Sequence, residues 1–366
     1  LALELLQAEL GKPVAYLDLE LDSDLALLGD EESYLRRHFD KLLIIDEVQL
    51  KPNLFKVLRG LIDLRKRSGE SSAQYLLLGS ASPKLLQQSA ESLAGRIRYL
   101  ELTPFMVSEV SKRDPLEFSP EKLWFRGGFP LSYLAPDDAE SWSWRSDFIS
   151  TYLERDIPQL GIQISASRMR RFWTMIAHLH GQQVNFSSLA KSLEVSHTTI
   201  RNYLDVLTDL YMIRQLPAWS GNTKKRLVKS PKVFLRDSGI LHRLLSLATY
   251  EDVLSHPVLG FSWEGFVIEN ILSSITDQWQ ASYYRSSNQH EIDLVLEKGH
   301  RTRWAIEIKR TIAPKVSKGF HVACEDIKST QKWVIHSGKV QFPLAKDTEA
   351  IGLMEFLELL REKSNE

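Results

Sequence analysis

The stretch KLLIIDEVQL, residues 41–50, decides the fold class. Its apolar residues 42–45 are typical of a short strand that is buried on both faces, and two carboxylates, Asp46 and Glu47, follow directly. In nucleotide hydrolases the first acid after such a strand orders Mg²⁺, and the second can activate the attacking water. The stretch therefore predicts an ATP site with Mg²⁺ at Asp46. The alternative is a strand whose acids only cap the next helix.

The first hundred residues alternate between helix and strand patterns around this stretch. Further strands are predicted at residues 14–19, 75–78 and 97–102, with helical patterns between them. Such alternation predicts an α/β fold with a parallel sheet, whose ligands bind beyond the carboxyl ends of the strands. Ser80 follows the strand at 75–78, where a polar sensor of the γ-phosphate is expected.

Composition points to a cytoplasmic protein with several domains. The 366 residues are 43% hydrophobic and 25% charged, with no apolar run of the roughly 18 residues that a membrane helix needs. A single cysteine, Cys324, excludes internal disulfides and fits a reducing compartment. The net charge of −1 hides a basic segment, because residues 161–235 carry eleven Lys or Arg and three Asp or Glu. That segment predicts binding to a polyanion such as DNA; the alternative is a solvated basic face.

A phosphate-binding loop is missing from the sequence. The expected pattern is Gly-x4-Gly-Lys-Ser/Thr, and the early pair Gly11-Lys12 is followed by Pro13 and preceded by leucine at position 6. Since such a loop directly precedes the first helix of the fold, we expect it to lie ahead of Leu1. Without it, the chain is predicted to bind ATP poorly and to show no turnover.

Five runs stand out in the sequence: LLIIDEVQL, LLLGSASPKLL, SLAGRIRYLELTPFMVSEV, GGFP and YLERDI. Together they resemble a prokaryotic family of AAA-type ATPases that carry a C-terminal domain of unknown function. The resemblance implies ATP and Mg²⁺ as ligands, Asp46 and Glu47 as the Walker B acids, and Ser80 as the sensor. Arg96 is a candidate sensor or trans-acting arginine, and the trans-acting role would require a homo-oligomer. The alternative is that Arg96 only forms a surface ion pair.

The basic segment has the rhythm of a winged helix-turn-helix. Two short helical patterns flank a tight turn at residues 194–197, and a β-hairpin with a basic loop follows. The start of the second helix and the loop would contact DNA. These candidate residues are His197, Thr198, Thr199, Arg201, Asn202, Lys224, Lys225 and Arg226. The alternative is a module that binds protein or acts as a spacer.

The last third contains a constellation of acids and a lysine. Asp293 lies in HEIDLVLE, Glu307 and Lys309 lie in AIEIKR, and Glu264 lies on a predicted helix before them. The order resembles the PD-(D/E)XK restriction-endonuclease-like superfamily, with a possible Mg²⁺ on Asp293 and Glu307. Lys309 would hold the attacking water or stabilise charge on the phosphate. The alternative is a salt-bridged structural cluster.

These patterns predict five regions. They are a truncated AAA-type core at 1–103, a helical lid or connector at 104–160, a winged helix-turn-helix at 161–250, an α/β restriction-endonuclease-like domain at 251–345 and a C-terminal helix at 346–366. We expect an ATPase associated with DNA and no membrane. Two alternatives stay open, a metal-dependent nuclease regulated by ATP and an inactive scaffold.

Overall fold

The stretch at 41–50 forms the middle strand of a parallel three-stranded sheet. The strands are β1 (Val14–Asp18), β2 (Leu42–Asp46) and β3 (Tyr75–Leu77), in the order β1-β2-β3. A computed structural model describes residues 13–70, 74–79, 89–113, 118–159, 164–221, 225–299, 301–345 and 347–365. The side chains of residues 42–45 are at most 3% exposed, so β2 is a core strand and the predicted α/β class is confirmed for this region.

Helices pack on this sheet to form the first compact unit, which ends at residue 101. They are α1 (Asp22–Leu27), α2 (Glu31–Arg37) and α3 (Leu54–Arg67). Asp30 caps α2 by accepting a hydrogen bond from the Ser33 N–H at 3.1 Å. The apolar face of α3 joins the sheet residues in one hydrophobic core.

One predicted strand of this unit is wrong. Residues 97–102 form no strand, and the side chain of Leu100 is 77% exposed. Apolar alternation alone does not make a strand, because a strand needs a neighbour that accepts its backbone hydrogen bonds. The candidate Ser80 lies outside the described residues.

The second compact unit, residues 102–366, begins with helices. They are α4 (Val107–Arg113), α5 (Pro120–Arg126), α6 (Pro130–Tyr133), α7 (Asp138–Thr151) and α8 (Ile157–Gln159), with a wide helical turn at Tyr152–Asp156. Trp124 of α5 is fully buried and donates a hydrogen bond to Ser262 Oγ at 3.0 Å. The region predicted as a lid or connector therefore contributes to the core of the second unit.

The basic segment folds into helices and a small antiparallel sheet. The elements are α9 (Ala166–His178), β4 (Gln182–Gln183), α10 (Phe186–Leu193), α11 (His197–Asp209), β5 (Ile213–Leu216) and β6 (Lys232–Leu235). The strand order is β4-β6-β5. Glu194 takes a left-handed conformation (φ 54°) and ends α10, and Ser196 caps α11 by accepting the Thr199 N–H at 3.0 Å.

The C-terminal part is a six-stranded sheet with helices. The helices are α12 (Ser238–Leu244), α13 (Tyr250–Ser255), α14 (Leu259–Leu272), α15 (Lys318–Ile327) and α16 (Leu353–Asn365). The strands are β7 (Trp279–Arg285), β8 (Glu291–Lys298), β9 (Thr302–Lys309), β10 (Gln331–His336), β11 (Phe342–Ala345) and β12 (Thr348–Gly352). Their order is β11-β12-β10-β9-β8-β7, with β7-β8-β9 antiparallel and β9, β10 and β12 mutually parallel.

This sheet continues across the boundary predicted at residue 345. β12 extends it, and Phe356, Leu357 and Leu360 of α16 belong to the large core that also contains Trp124. A single hydrophobic core thus runs through most of the second unit. None of the helices in the described part of the chain has both the length and the apolar character that a bilayer crossing demands.

Candidate nucleotide site and a second acidic site

Carboxylates collect at the carboxyl edge of the first unit's sheet. Asp46 ends β2, and the parallel register places Asp18, the last residue of β1, opposite it. Glu47 follows immediately. The edge where ligands of parallel α/β sheets bind is therefore rich in hard oxygen donors.

Two neutral donors orient the Asp46 carboxylate. The Tyr16 hydroxyl donates to Asp46 Oδ2 at 2.6 Å, and the Glu47 N–H donates to Oδ1 at 2.9 Å. The hydrogen bond to Asp46 raises the pKa of Tyr16 to about 12. Sequence reasoning missed Tyr16; the available signal was its place two residues before Asp18, on the same face of β1.

The Glu47 carboxylate is held by Gln49. Glu47 has a left-handed backbone (φ 53°), and its Oε2 accepts a hydrogen bond from Gln49 Nε2. Burial, together with repulsion from Asp46, raises the pKa of Glu47 above its usual range. Gln49 packs against the end of β3, where a Cβ on Gly79 would lie 2.5 Å from Gln49 Oε1. Glycine at position 79 therefore leaves the room that Gln49 occupies.

Arg96 is engaged within its own unit. Its Nε donates to Asp63 Oδ1 at 2.7 Å, and its Nη2 donates to Asp63 Oδ2 at 2.9 Å. This two-point pair joins the segment after residue 93 to α3. The sensor or trans-acting role of Arg96 stays a prediction.

The donor set at this edge fits Mg²⁺. Magnesium is usually held by one or two carboxylates while the phosphates of the nucleotide supply the remaining oxygens. Asp46, with Asp18 opposite, meets that requirement. Within the described ranges, no group of three or more His, Cys, Asp or Glu side chains could hold a metal ion by itself.

A second acidic site lies in the C-terminal sheet. Asp293 is on β8, and Glu307 and Lys309 are on the neighbouring strand β9. Asp293 Oδ2 accepts the Ile308 N–H at 2.9 Å, and Lys309 Nζ lies 2.7 Å from Glu307 Oε1. Burial and the repulsion from Asp293 raise the pKa of Glu307 to about 8. The structure thus brings these three sequence-predicted residues together.

Glu264 of α14 lies beside this site, where its carboxylate pairs with Lys232 of β6. Lys232 Nζ lies 2.9 Å from Glu264 Oε1 and 2.7 Å from Glu291 Oε1. Burial raises the pKa of Glu264, while Lys232 opposes that shift. Sequence reasoning missed Lys232 and Glu291. A lysine at the start of the apolar strand KVFL was the available signal, since a buried lysine needs a paired acid.

The predicted DNA-contacting residues of α11 are mostly accessible. His197, Thr198, Arg201 and Asn202 are exposed, and Thr199 is half-buried beside its cap. The Arg201 guanidinium lies over the Phe186 ring, 5.5 Å from its centroid, which is within the roughly 6 Å of a cation–π contact. The first turn of α11 therefore presents polar and basic side chains to solvent.

The loop between β5 and β6 pairs with the C-terminal sheet. The Trp219 N–H donates to the Tyr283 carbonyl at 2.7 Å, and the Val228 N–H donates to the Arg285 carbonyl at 3.1 Å. Lys225 Nζ lies 2.7 Å from Asp326 Oδ2. The Arg226 carbonyl accepts the Ser287 N–H, and Lys224 lies outside the described residues. A contact of Lys225 with phosphate would thus compete with an existing ion pair.

Comparison with known proteins assigns three regions. Residues 1–111 match the AAA domain, residues 118–251 match a domain of unknown function (DUF8612), and residues 259–356 match a second domain of unknown function (DUF4143). The predicted AAA-type family is confirmed by the first match. No solved structure matches the chain.

Relatives of this chain occur in bacteria and archaea. The chain is 41% identical over 310 residues to the uncharacterized proteins Rv2008c of Mycobacterium tuberculosis and Mb2031c of Mycobacterium bovis, a span that covers 85% of this chain and 68% of each relative. It is 23% identical over 312 residues to the uncharacterized protein MJ1544 of Methanocaldococcus jannaschii, covering 79% of this chain and 66% of that protein. The chain therefore belongs to an AAA-type family, shared with these mycobacterial proteins, in which an AAA domain precedes two domains of unknown function.

Proposed function

We propose that this chain is part of an ATP-hydrolysing AAA-type ATPase. The observation that carries the proposal is the position of Asp46 and Glu47 at the carboxyl edge of the parallel sheet, with Asp18 opposite. Asp46 would hold Mg²⁺ together with the ATP phosphates, and the match to the AAA domain supports ATP as the nucleotide. The bound Mg²⁺ would neutralise charge on the transferring phosphate.

The chain's own groups divide the work at this edge. Tyr16 and the Glu47 N–H orient Asp46, so its carboxylate is positioned before any ligand binds. Glu47, whose pKa is raised by burial, would accept the proton of the attacking water. Its hydrogen bond to Gln49 must be given up or shared when it does so.

The direct test of this proposal is ATP turnover by the full-length natural protein, because residues 1–366 alone are predicted to show none. Glu47→Gln should reduce hydrolysis about a hundredfold or more while leaving ATP binding in place, as expected for the loss of a general base. Asp46→Asn should weaken binding of the Mg²⁺ complex. Unchanged turnover in both variants would refute the proposal and favour an inactive scaffold.

We further propose that the second unit binds DNA. The order helix, strand, helix, turn, helix and hairpin, with strands arranged β4-β6-β5, supports the predicted winged helix. Arg201, Asn202 and Thr198 at the start of α11 are exposed and would be available for contacts with a duplex. The basic charge of residues 161–235 favours binding to the phosphate backbone over base readout.

A second candidate function is metal-dependent cleavage of DNA. The observation that favours it is the convergence of Asp293, Glu307 and Lys309 on adjacent strands, with α14 before and β10 parallel to β9. The two carboxylates offer the hard oxygens that Mg²⁺ prefers. Lys309 would stabilise negative charge on the phosphate or hold the attacking water.

Plasmid nicking in Mg²⁺ or Mn²⁺ tests this second candidate. We expect nicked product from the wild type, and none from Asp293→Ala or Lys309→Ala. Identical products from all three proteins would remove cleavage from consideration while leaving the ATPase proposal intact.

A further inference from the structure

Lys232 is held rigidly at the second acidic site. It lies on β6, the middle strand of its sheet, where Gln183 of β4 and Leu216 of β5 are its register partners. The residue is 2% exposed, and its ammonium lies 5.5 Å from the centre of the Tyr283 ring. A lysine fixed through strands on both sides and enclosed along its stem is not a mobile gate.

The carboxylates of the site divide between two lysines. Lys232 contacts Glu264 and Glu291, at 2.9 and 2.7 Å. Lys309 contacts Glu307 at 2.7 Å, and Asp293 accepts a backbone N–H instead. Arg285 Nη1 also lies 3.3 Å from Glu291 Oε2, so the Glu264 side has two cations for its two carboxylates. The strand side has one lysine for two carboxylates and is the part that lacks positive charge.

A metal ion bound to Glu264 would lie close to the Lys232 ammonium. A divalent ion sits about 2 Å from its carboxylate oxygen. With Lys232 Nζ 2.9 Å from Glu264 Oε1, the two cations would be no more than about 5 Å apart if they shared that oxygen, and like charges repel strongly at a buried site. Glu264 and Lys232 thus form a pair that excludes a second cation.

We propose that Lys232 is a positioning residue that takes the place of a second metal ion, so that the site binds one divalent ion, on Asp293 and Glu307. This inference rests on the second candidate function. It assigns Glu264 to Lys232 and removes it from the metal ligands. It also makes the site dependent on two sequence regions, since Lys232 comes from the region that matches DUF8612 and the acids from the region that matches DUF4143.

Counting Mn²⁺ ions tests the inference without measuring activity. Free Mn²⁺ is followed by electron paramagnetic resonance during titration, with Asp46→Asn in every protein so that the first acidic site is disabled. We expect one Mn²⁺ per chain, lost in Asp293→Asn. Glu264→Gln should keep one Mn²⁺ with an affinity within about twofold, whereas loss of a true metal ligand or its support costs about ten- to a hundredfold.

Removing the lysine gives the complementary result. Lys232→Met leaves Glu264 without its cation, and we expect a second Mn²⁺ per chain and a larger rise of Tm on adding Mn²⁺ than in the parent protein. The double variant Lys232→Met/Glu264→Gln is the matched control and should return to one Mn²⁺. If Lys232→Met does not fold, the Glu264→Gln titration decides alone.

The outcomes separate the inference from the function on which it rests. Two Mn²⁺ ions in the parent protein, or an affinity at least tenfold weaker in Glu264→Gln, would overturn the role of Lys232 and leave cleavage possible. No Mn²⁺ at all would overturn both. One Mn²⁺ that survives Asp293→Asn would place the ion elsewhere and also overturn the inference.

Discussion

The two acidic sites differ in how their carboxylates are compensated. In the described part of the first unit, Asp46 and Glu47 are half-buried and contact neutral groups, the Tyr16 hydroxyl, the Gln49 amide and a backbone N–H. In the second unit, Glu264 and Glu307 are buried and each contacts a lysine. The first site is thus suited to an incoming cation and nucleotide, whereas the acids of the second also stabilise the fold.

The largest expected effect is on stability. Lys232→Met should lower the free energy of unfolding of the second unit by about 3–5 kcal/mol, because it leaves a buried carboxylate unpaired. Asp46→Asn should change the stability of the first unit by about 1 kcal/mol or less. Urea unfolding followed by circular dichroism, which senses the helices of both units, measures both losses. All nine tryptophans lie after residue 101, so their fluorescence reports on the second unit alone. Equal losses of stability in Lys232→Met and Asp46→Asn would contradict this difference between the two acidic sites.

The next effect is an acid sensitivity of the second unit caused by two buried histidines. Burial lowers the pKa of both His180 and His242 to about 3. In the unfolded chain a histidine titrates near 6.5, so the stability from each neutral imidazole is present above pH 6.5 and is lost as pH falls toward 3. The loss is about 1.4 kcal/mol per pH unit for each histidine.

Urea unfolding at pH 7 and pH 5, followed by tryptophan fluorescence, measures this slope. Glu264 and Glu307 have raised pKa values and contribute a slope of the opposite sign over this range, so the test is the difference between proteins. The stability lost between pH 7 and pH 5 should be about 2 kcal/mol smaller in His242→Gln than in the wild type. A slope that persists in full after His242→Gln would show that other groups cause the acid sensitivity.

A smaller effect is expected in DNA binding by the second unit. Arg201→Ala should weaken binding to duplex DNA several-fold and reduce the slope of log affinity against log salt concentration by about 1. Fluorescence anisotropy at several salt concentrations provides the measurement. Arg36→Ala, an exposed arginine of the first unit paired with Glu32, is the control and should leave binding unchanged. Equal weakening by both variants would argue against α11 as the contact.

The smallest effect concerns the orientation of Asp46. Tyr16→Phe removes one hydrogen bond at a partly exposed position and should lower stability by about 1 kcal/mol or less. ATP turnover should fall only a few-fold, since the Glu47 N–H still holds the other oxygen. A loss as large as that of Glu47→Gln would mean that Tyr16 takes part in the chemistry itself.

Local patterns predicted much of this architecture. Residues 42–45 had to form a buried strand because they are uniformly apolar, and the parallel arrangement then fixed which end carried Asp46. The two-residue period of β9 likewise placed Glu307 and Lys309 on one face. Predictions that depend only on residues close together along the chain agree with the structure.

Long-range contacts could not be predicted in this way. Lys232 meets Glu264 and Glu291 across 32 and 59 residues, and no local pattern encodes that pairing. The loop between β5 and β6 looked like a free basic wing, but its hydrogen bonds to β7 depend on the placement of a distant strand. Residues 97–102 failed for the same reason, since their apolar content does not say whether a partner strand is near.

ATP hydrolysis by the full-length natural protein tests the central claim most directly. Wild type is compared with Glu47→Gln, and Glu20→Gln serves as a control for an exposed acid near the same sheet edge. We predict that Glu47→Gln lowers turnover about a hundredfold or more while ATP still binds, and that Glu20→Gln leaves turnover unchanged. Wild-type turnover in Glu47→Gln would contradict the assignment of this edge as the nucleotide site.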